Sequence, residues 1–279
     1  MKKIILFPII LSLTAVLATP AQTRKPAAAK KPAATTAKKP VATNKPAATK
    51  KVTTTNNPKI IKAVQSNPQY KEVSYTLSGK AHGFEDGEWI SLCAPGKNGL
   101  EATDSVQLQG EDFTFKGRTL NVPYMKYLVV GKGVHKTLVE VFIEEGNITA
   151  DITVDKRIDQ VRGTITNNIY MPYRDSINTI YTQIYDATRE SMRMSNPADV
   201  REAYKLGIDS LHNQMVQYTY TFARKNLHNW AGIYLFAEYH KRFTAAQNRA
   251  LLAAVPKKYI TLPIITEIRN YTKTQGNSK

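Results

Sequence analysis

Residues 124–154 read YMKYLVVGKGVHKTLVEVFIEEGNITADITV, and this stretch decides the fold. Tyr124 to Val130, Thr137 to Ile143 and Ile148 to Val154 are short runs dominated by aliphatic, β-branched and aromatic residues. Gly131-Lys132-Gly133 and Glu145-Gly146-Asn147 separate them. Apolar runs of that length bounded by glycine-bearing turns are strands. Upstream, Val73, Tyr75 and Leu77 alternate with Ser74, Thr76 and Ser78, so one face of a further strand is buried. Glu88 to Ala94 is the next strand, and Pro95-Gly96-Lys97-Asn98-Gly99 is a turn. Ala102 to Gln109 follows, and Gly110-Glu111-Asp112 turns the chain into Phe113 and Phe115. Val161 with Gly163 closes the set. Seven or eight short strands at even spacing predict an antiparallel β-sandwich or barrel-like domain over residues 71–165.

Downstream of Asn167 the apolar period changes to that of helices. Tyr173, Ile177, Ile180, Tyr181 and Ile184 form one stripe. Asn196-Pro197 starts a second helix, along which Val200, Tyr204, Ile208, Leu211, Met215, Tyr218 and Phe222 repeat. Trp230, Ile233, Tyr234 and Ala237 mark a third. Thr244-x-x-Gln247 is a capping box for a fourth, which Pro256 ends. Leu262, Ile265 and Ile268 sit in a last one. The expected fold class is therefore α+β, a sandwich followed by a helical bundle over 166–275. The many tyrosines of this half sit at plain helical spacing, which favours a core role.

The N-terminal part is of another kind. Lys2 and Lys3 precede an apolar run from Ile4 to Leu17, and small residues follow at Ala18, Thr19 and Ala21. That is the pattern of a secretory signal peptide over 1–21. Residues 22–70 make a Lys/Pro/Ala/Thr-rich linker in which a K-P-A-A or K-P-V-A-T unit recurs about every seven residues, and such a composition predicts disorder. Of the 39 Lys and Arg residues, 14 lie in residues 1–71, which hold no Asp or Glu. The net charge of +17 is thus mostly a property of this segment, and residues 72–279 carry only +3. A solvated spacer is the expected role, with weak contact to glycan, lipid phosphate or cell-wall carboxylates as a secondary one. Export argues against nucleic acid as the partner. Cys93 is the only cysteine, so neither an internal disulfide nor a lipid anchor on a cysteine at the cleavage site is available. The expected location is the periplasm or cell envelope, with no membrane span after signal cleavage.

The strand region carries a recognisable order of short motifs. Thr76-Leu77-Ser78-Gly79 opens it, and Trp89-Ile90-Ser91-Leu92, Thr103-Asp104-Ser105-Val106 and Asp112-Phe113-Thr114-Phe115-Lys116-Gly117 follow. Next come Pro123 to Val129 and Val141-Phe142-Ile143-Glu144-Glu145-Gly146-Asn147-Ile148. Val161-Arg162-Gly163-Thr164, with Asn167 and Asn168, ends it. From Tyr75 to Ser176 this resembles the domain of unknown function numbered four-three-six-nine. That domain stands in exported Bacteroidetes-type proteins, ahead of a thioredoxin-like thiol:disulfide interchange domain. The resemblance implies a sandwich followed by a helical connector. It carries no chemistry over, because no C-x-x-C pair occurs in these 279 residues.

A search of the residues for chemistry returns little. His82, His135, His212, His228 and His240 form no H-x-x-x-H or H-E-x-x-H pair, so no metal site is expected. There is no G-x-S-x-G elbow, P-loop or G-x-G-x-x-G. Glu144-Glu145 reads as a polar strand end, and Asp104-Ser105 has no visible partner base. Asp104-Ser105-Val106, Asp175-Ser176-Ile177 and Asp209-Ser210-Leu211 resemble the Asp-Ser/Thr-aliphatic site of O-glycosylation in such bacteria. No catalytic, cofactor-binding or metal residue is assigned, and no cofactor is expected. The functional expectation is an exported, non-catalytic binding or scaffolding protein with a protein partner in the envelope. An accessory subunit of a thiol:disulfide interchange system is one alternative. An enzyme with an unrecognised site is the other.

Overall fold

A computed structural model describes residues 70–133, 136–154 and 159–276. The expected signal peptide and all of the linker except Tyr70 lie outside these residues. Eight strands come first: β1 Glu72–His82, β2 Trp89–Gly96, β3 Gly99–Gln107, β4 Asp112–Leu120, β5 Tyr124–Val130, β6 Thr137–Ile143, β7 Gly146–Thr153 and β8 Gln160–Arg162. They form two four-stranded sheets, ordered β4-β1-β7-β8 and β3-β2-β5-β6. Leu77, Ile90, Leu92, Phe115, Leu128, Val139, Val141, Ile148 and Ile152 are all at most 1% exposed and make the sandwich core.

One expectation about the sheets needs correction. They are not wholly antiparallel: β1 and β7 pair in parallel, Tyr75 opposite Gly146 through His82 opposite Thr153. Turn residues in a sequence reveal hairpin neighbours, whereas a parallel pair is joined by a long crossover, here the strands between them. Gly79 belongs to this pairing. A Cβ there would overlap the carbonyl of Ala150 on the neighbouring strand, so only glycine lets the two backbones meet at this register.

Five helices follow: α1 Ile165–Met192, α2 Ala198–Asn226, α3 Trp230–Tyr239, α4 Ala245–Ala254 and α5 Pro263–Gly276. The predicted capping box is present, with Thr244 accepting from the Gln247 amide and the Gln247 side chain returning to Thr244. Helices α1 and α3 pack against the outer face of the β3-β2-β5-β6 sheet. Phe142 of β6 points out of the sandwich, and its ring meets Tyr170 at 5.1 Å and Tyr234 at 5.0 Å, both edge-on. A single buried cluster runs from the sandwich into the helices.

The second apolar stripe differs from its reading. Along α2 only Met215, Thr219 and Ala223 are buried, while Val200 and Tyr204 are exposed. The buried residues of α1 likewise end at Ile180. The far halves of α1 and α2 therefore leave the bundle as a two-helix hairpin, with only each other for cover. The tyrosines divide accordingly. Tyr170, Tyr173 and Tyr239 are buried, whereas Tyr185, Tyr204 and Tyr218 are exposed.

Candidate functional site

The seam between sandwich and bundle is built by the residues that close the motif series. Gly163 sits at φ 102°, a conformation that favours glycine. Its amide donates to Asn168 Oδ1 at 3.0 Å. Asn167 is fully buried on the first turn of α1. Its Oδ1 accepts from the Phe142 amide at 2.9 Å, and its Nδ2 donates to the Phe142 carbonyl and to Thr164 Oγ1, both at 2.8 Å. Glu144 accepts from the Thr166 amide at 2.9 Å and the Thr166 hydroxyl at 2.7 Å, which satisfies an unpaired donor at the helix start. Glu145 lines a shallow cleft of about 290 Å³ together with Glu144, Gly163, Thr164 and Asn168. The Glu144-Glu145 pair is thus structural on one side.

The other sequence candidates are dispersed. Asp104 accepts from the Ser105 amide at 2.8 Å, and the hydroxyls of Ser105 and Ser91 meet at 2.9 Å across β2 and β3. Ser176 donates to the Pro172 carbonyl and accepts from the Tyr218 phenol. Asp209 and Ser210 are exposed on α2. His82 pairs with Glu111 at 2.7 Å on the surface. His240 is buried after α3, edge-on to Tyr271, and burial holds its pKa below the ordinary value. His135 lies outside the described residues. Among the described residues no three His, Cys, Asp or Glu side chains converge as metal ligands. Cys93 is buried on β2 opposite Tyr127, and burial pushes its thiol pKa up.

What the structure does bring together is a set of tyrosines around two carboxylates, and the sequence reading missed it. Tyr127 of β5 faces Glu140 of β6 across the sheet. The Tyr170 phenol of α1 donates to Glu140 Oε2 at 2.8 Å. Tyr234 and Glu238 reach the same face from α3, one helical turn apart. Burial is the main cause that raises the pKa of Glu140, opposed by the Tyr170 hydrogen bond and by Arg174. Glu238 is raised by its crowded setting and then by the charge of Glu140. It stays solvent-accessible, so water screens it and the perturbation of Glu140 carries more weight. Burial also lifts Tyr127, Tyr170 and Tyr234, each further raised by Glu140. Tyr181 is pushed up to about 12, first by burial and then by Tyr239. Neither carboxylate has a cation within ion-pair distance among the described residues. Arg174 is turned away, donating to the Asp159 carbonyl and pairing with Asp175 at 3.0 Å. The arrangement can hold a proton between Glu140 and the Tyr170 phenol, and it presents negative charge framed by aromatic rings. No local motif announces it, because its members come from two strands and two helices.

An eight-stranded sandwich sewn to a helical bundle through an Asn-Asn seam defines the class of this chain. Residues 75–170 match the family model described as Domain of unknown function (DUF4369). The match takes in nearly all of the sandwich and the first turns of α1, and leaves the rest of the bundle outside it. No curated protein and no solved structure matches the chain.

Proposed function

We propose that this chain is an exported, non-catalytic interaction module of the bacterial cell envelope, with the α1–α2 hairpin as its partner-binding arm. One observation carries the reading. Beyond Ile180 the hairpin runs a further ~18 Å by helix geometry, and it leaves large apolar side chains uncovered. Met192 is 73% exposed, Met194 84% and Leu206 66%. Exposed methionine and leucine on a projecting arm are the usual chemistry of an adaptable protein interface. The sandwich supplies a rigid base, and the basic linker fits the role of a spacer between the module and the envelope surface.

The test is in-cell cross-linking of a tagged full-length chain beside a Met194→Asp/Leu206→Asp variant. The expected outcome is loss of the captured protein while the thermal midpoint stays put, since exposed substitutions change stability by only about 0.5 kcal/mol. Undiminished capture by the variant would remove the hairpin from the reading. The DUF4369 match favours a second reading, an accessory subunit of a thiol:disulfide interchange system. A captured partner carrying a C-x-x-C pair would select it.

A further inference from the structure

We infer that the tyrosine and glutamate face of the second sheet is a docking surface for the chain's own Lys-Pro segment, residues 45–51. The surface has three parts. Glu238 is exposed and supplies negative charge without an ion-pair partner among the described residues, while Glu140 beside it is hydrogen-bonded to Tyr170. Tyr127, Tyr181 and Tyr234 are half-buried around them, so their rings are held firmly and still reach solvent. Trp89 is 56% exposed on the same sheet face, four residues along β2 from Cys93, the residue opposite Tyr127. Strand geometry puts it about 13 Å away. Rigid aromatic rings beside carboxylates are suited to an extended Lys/Pro peptide. Proline packs flat on tyrosine and tryptophan, and an ammonium group between rings gains from their faces as well as from the carboxylates.

Residues 22–70 supply that chemistry. They hold Lys-Pro pairs at 25–26, 31–32, 39–40 and 45–46, and no acidic residue. Their attachment point fits as well. Lys71 and Asn121 exchange hydrogen bonds at 2.8 and 3.0 Å, which ties the start of β1 to the loop before β5. Asn121 is six residues from Tyr127, so the two lie within about 20 Å. Treated as a coil, the 19 residues from Lys51 to Tyr70 would span about 24 Å root-mean-square, and the 25 from Lys45 about 28 Å. Linker and surface are thus matched in length, which places the lysines at a high effective concentration there. The cations already near the surface mark its edges. Arg242 lies over the Tyr239 ring at 5.4 Å, and Arg174 is bound to Asp159 and Asp175.

The test uses the full-length chain, half of it isotope-labelled, treated with a zero-length carbodiimide that joins lysine amines to carboxylates in contact. The expected products link Glu238 to Lys45, Lys50 or Lys51 within one chain, several-fold above links to the exposed controls Glu202 and Asp209. A Glu238→Lys variant should let trypsin cut after Lys50 and Lys51 faster, by up to about fivefold for a surface charge contact. Links spread evenly over surface carboxylates overturn the inference, as do links found only between labelled and unlabelled copies. Tryptic cleavage unchanged in the variant overturns it too.

Discussion

Two buried polar side chains show what single residues hold in place here. Asn167 uses both ends of its amide on one strand residue, so that β6 and α1 share a closed ring of hydrogen bonds in a water-free setting. Replacing it with alanine strands the Phe142 amide and carbonyl at the edge of their sheet. Asn167→Ala is expected to cost about 2–4 kcal/mol, the sum of two unsatisfied groups. Asn167→Asp keeps the acceptor but sets a buried carboxylate oxygen against the Phe142 carbonyl, and so should cost at least as much near neutral pH. Chemical denaturation of the three proteins reads the order directly, and an alanine variant as stable as the parent would dismiss the seam as decoration. Lys126 is the opposite case, a cation 2% exposed whose Nζ donates to Thr103 Oγ1 at 3.0 Å. Thr103 is the extra residue of the β2–β3 bulge, and its hydroxyl donates onward to the Leu92 carbonyl at 2.7 Å. The chain of donors is consistent, yet among the described residues the amine has one hydrogen-bond partner for its three protons.

At the scale of elements, the hairpin sets the clearest expectation. Residues 182–211 lack the cover that Phe142, Tyr170 and Tyr234 give the inner ends of the bundle. Local opening should therefore be easiest there, and amide exchange across 182–211 is expected to outrun that of α3 by more than tenfold. Equal protection in the two would mean that the arm is already covered in solution. Most strands were legible because they are short apolar runs bounded by turn residues such as Gly131-Lys132-Gly133 and Glu145-Gly146-Asn147. Tyr124–Val130 and Thr137–Ile143 stand where the residues predicted them. The parallel β1–β7 pair was not legible, since nothing local to Glu72–His82 refers to Gly146–Thr153. The α2 stripe misled for a related reason. Helical spacing shows that one face is apolar, and it does not say whether a neighbour reaches that face along its whole length. The Glu140 surface was hidden most deeply. Glu140 occupies an ordinary outward position in T-L-V-E-V-F-I, and only the arrival of Tyr170, Tyr234 and Glu238 from distant helices gives it a role.

Across the whole molecule, the buried charges shape how stability follows pH. Glu140 has a folded pKa raised from its ordinary 4.5, first by burial. Its contribution is fully present below 4.5 and is lost as pH rises through the folded value, because only the unfolded chain then ionises freely. Lys126 has a folded pKa lowered from 10.5, also first by burial. Charging it costs stability at all pH below that folded value, and the cost fades as pH rises toward 10.5. The two groups therefore both weaken the fold near neutrality, from opposite sides. Glu140→Gln keeps an acceptor for the Tyr170 phenol and removes the charge. Its thermal midpoint should equal that of the parent near pH 4 and exceed it increasingly above pH 5. Lys126→Met should be stabilising by about 1–4 kcal/mol at pH 6, as for other buried ions replaced by apolar residues of similar volume. Its advantage should shrink as the solution approaches pH 10. Melting curves of the three proteins over that range decide it. A Glu140→Gln protein weaker at pH 7 than at pH 4, relative to the parent, would mean that the carboxylate is held by a cation rather than penalised by burial. The Lys-Pro segment would then be the first place to look for that cation, and the same melting series repeated on Glu238→Lys would show whether the docked lysine supplies it.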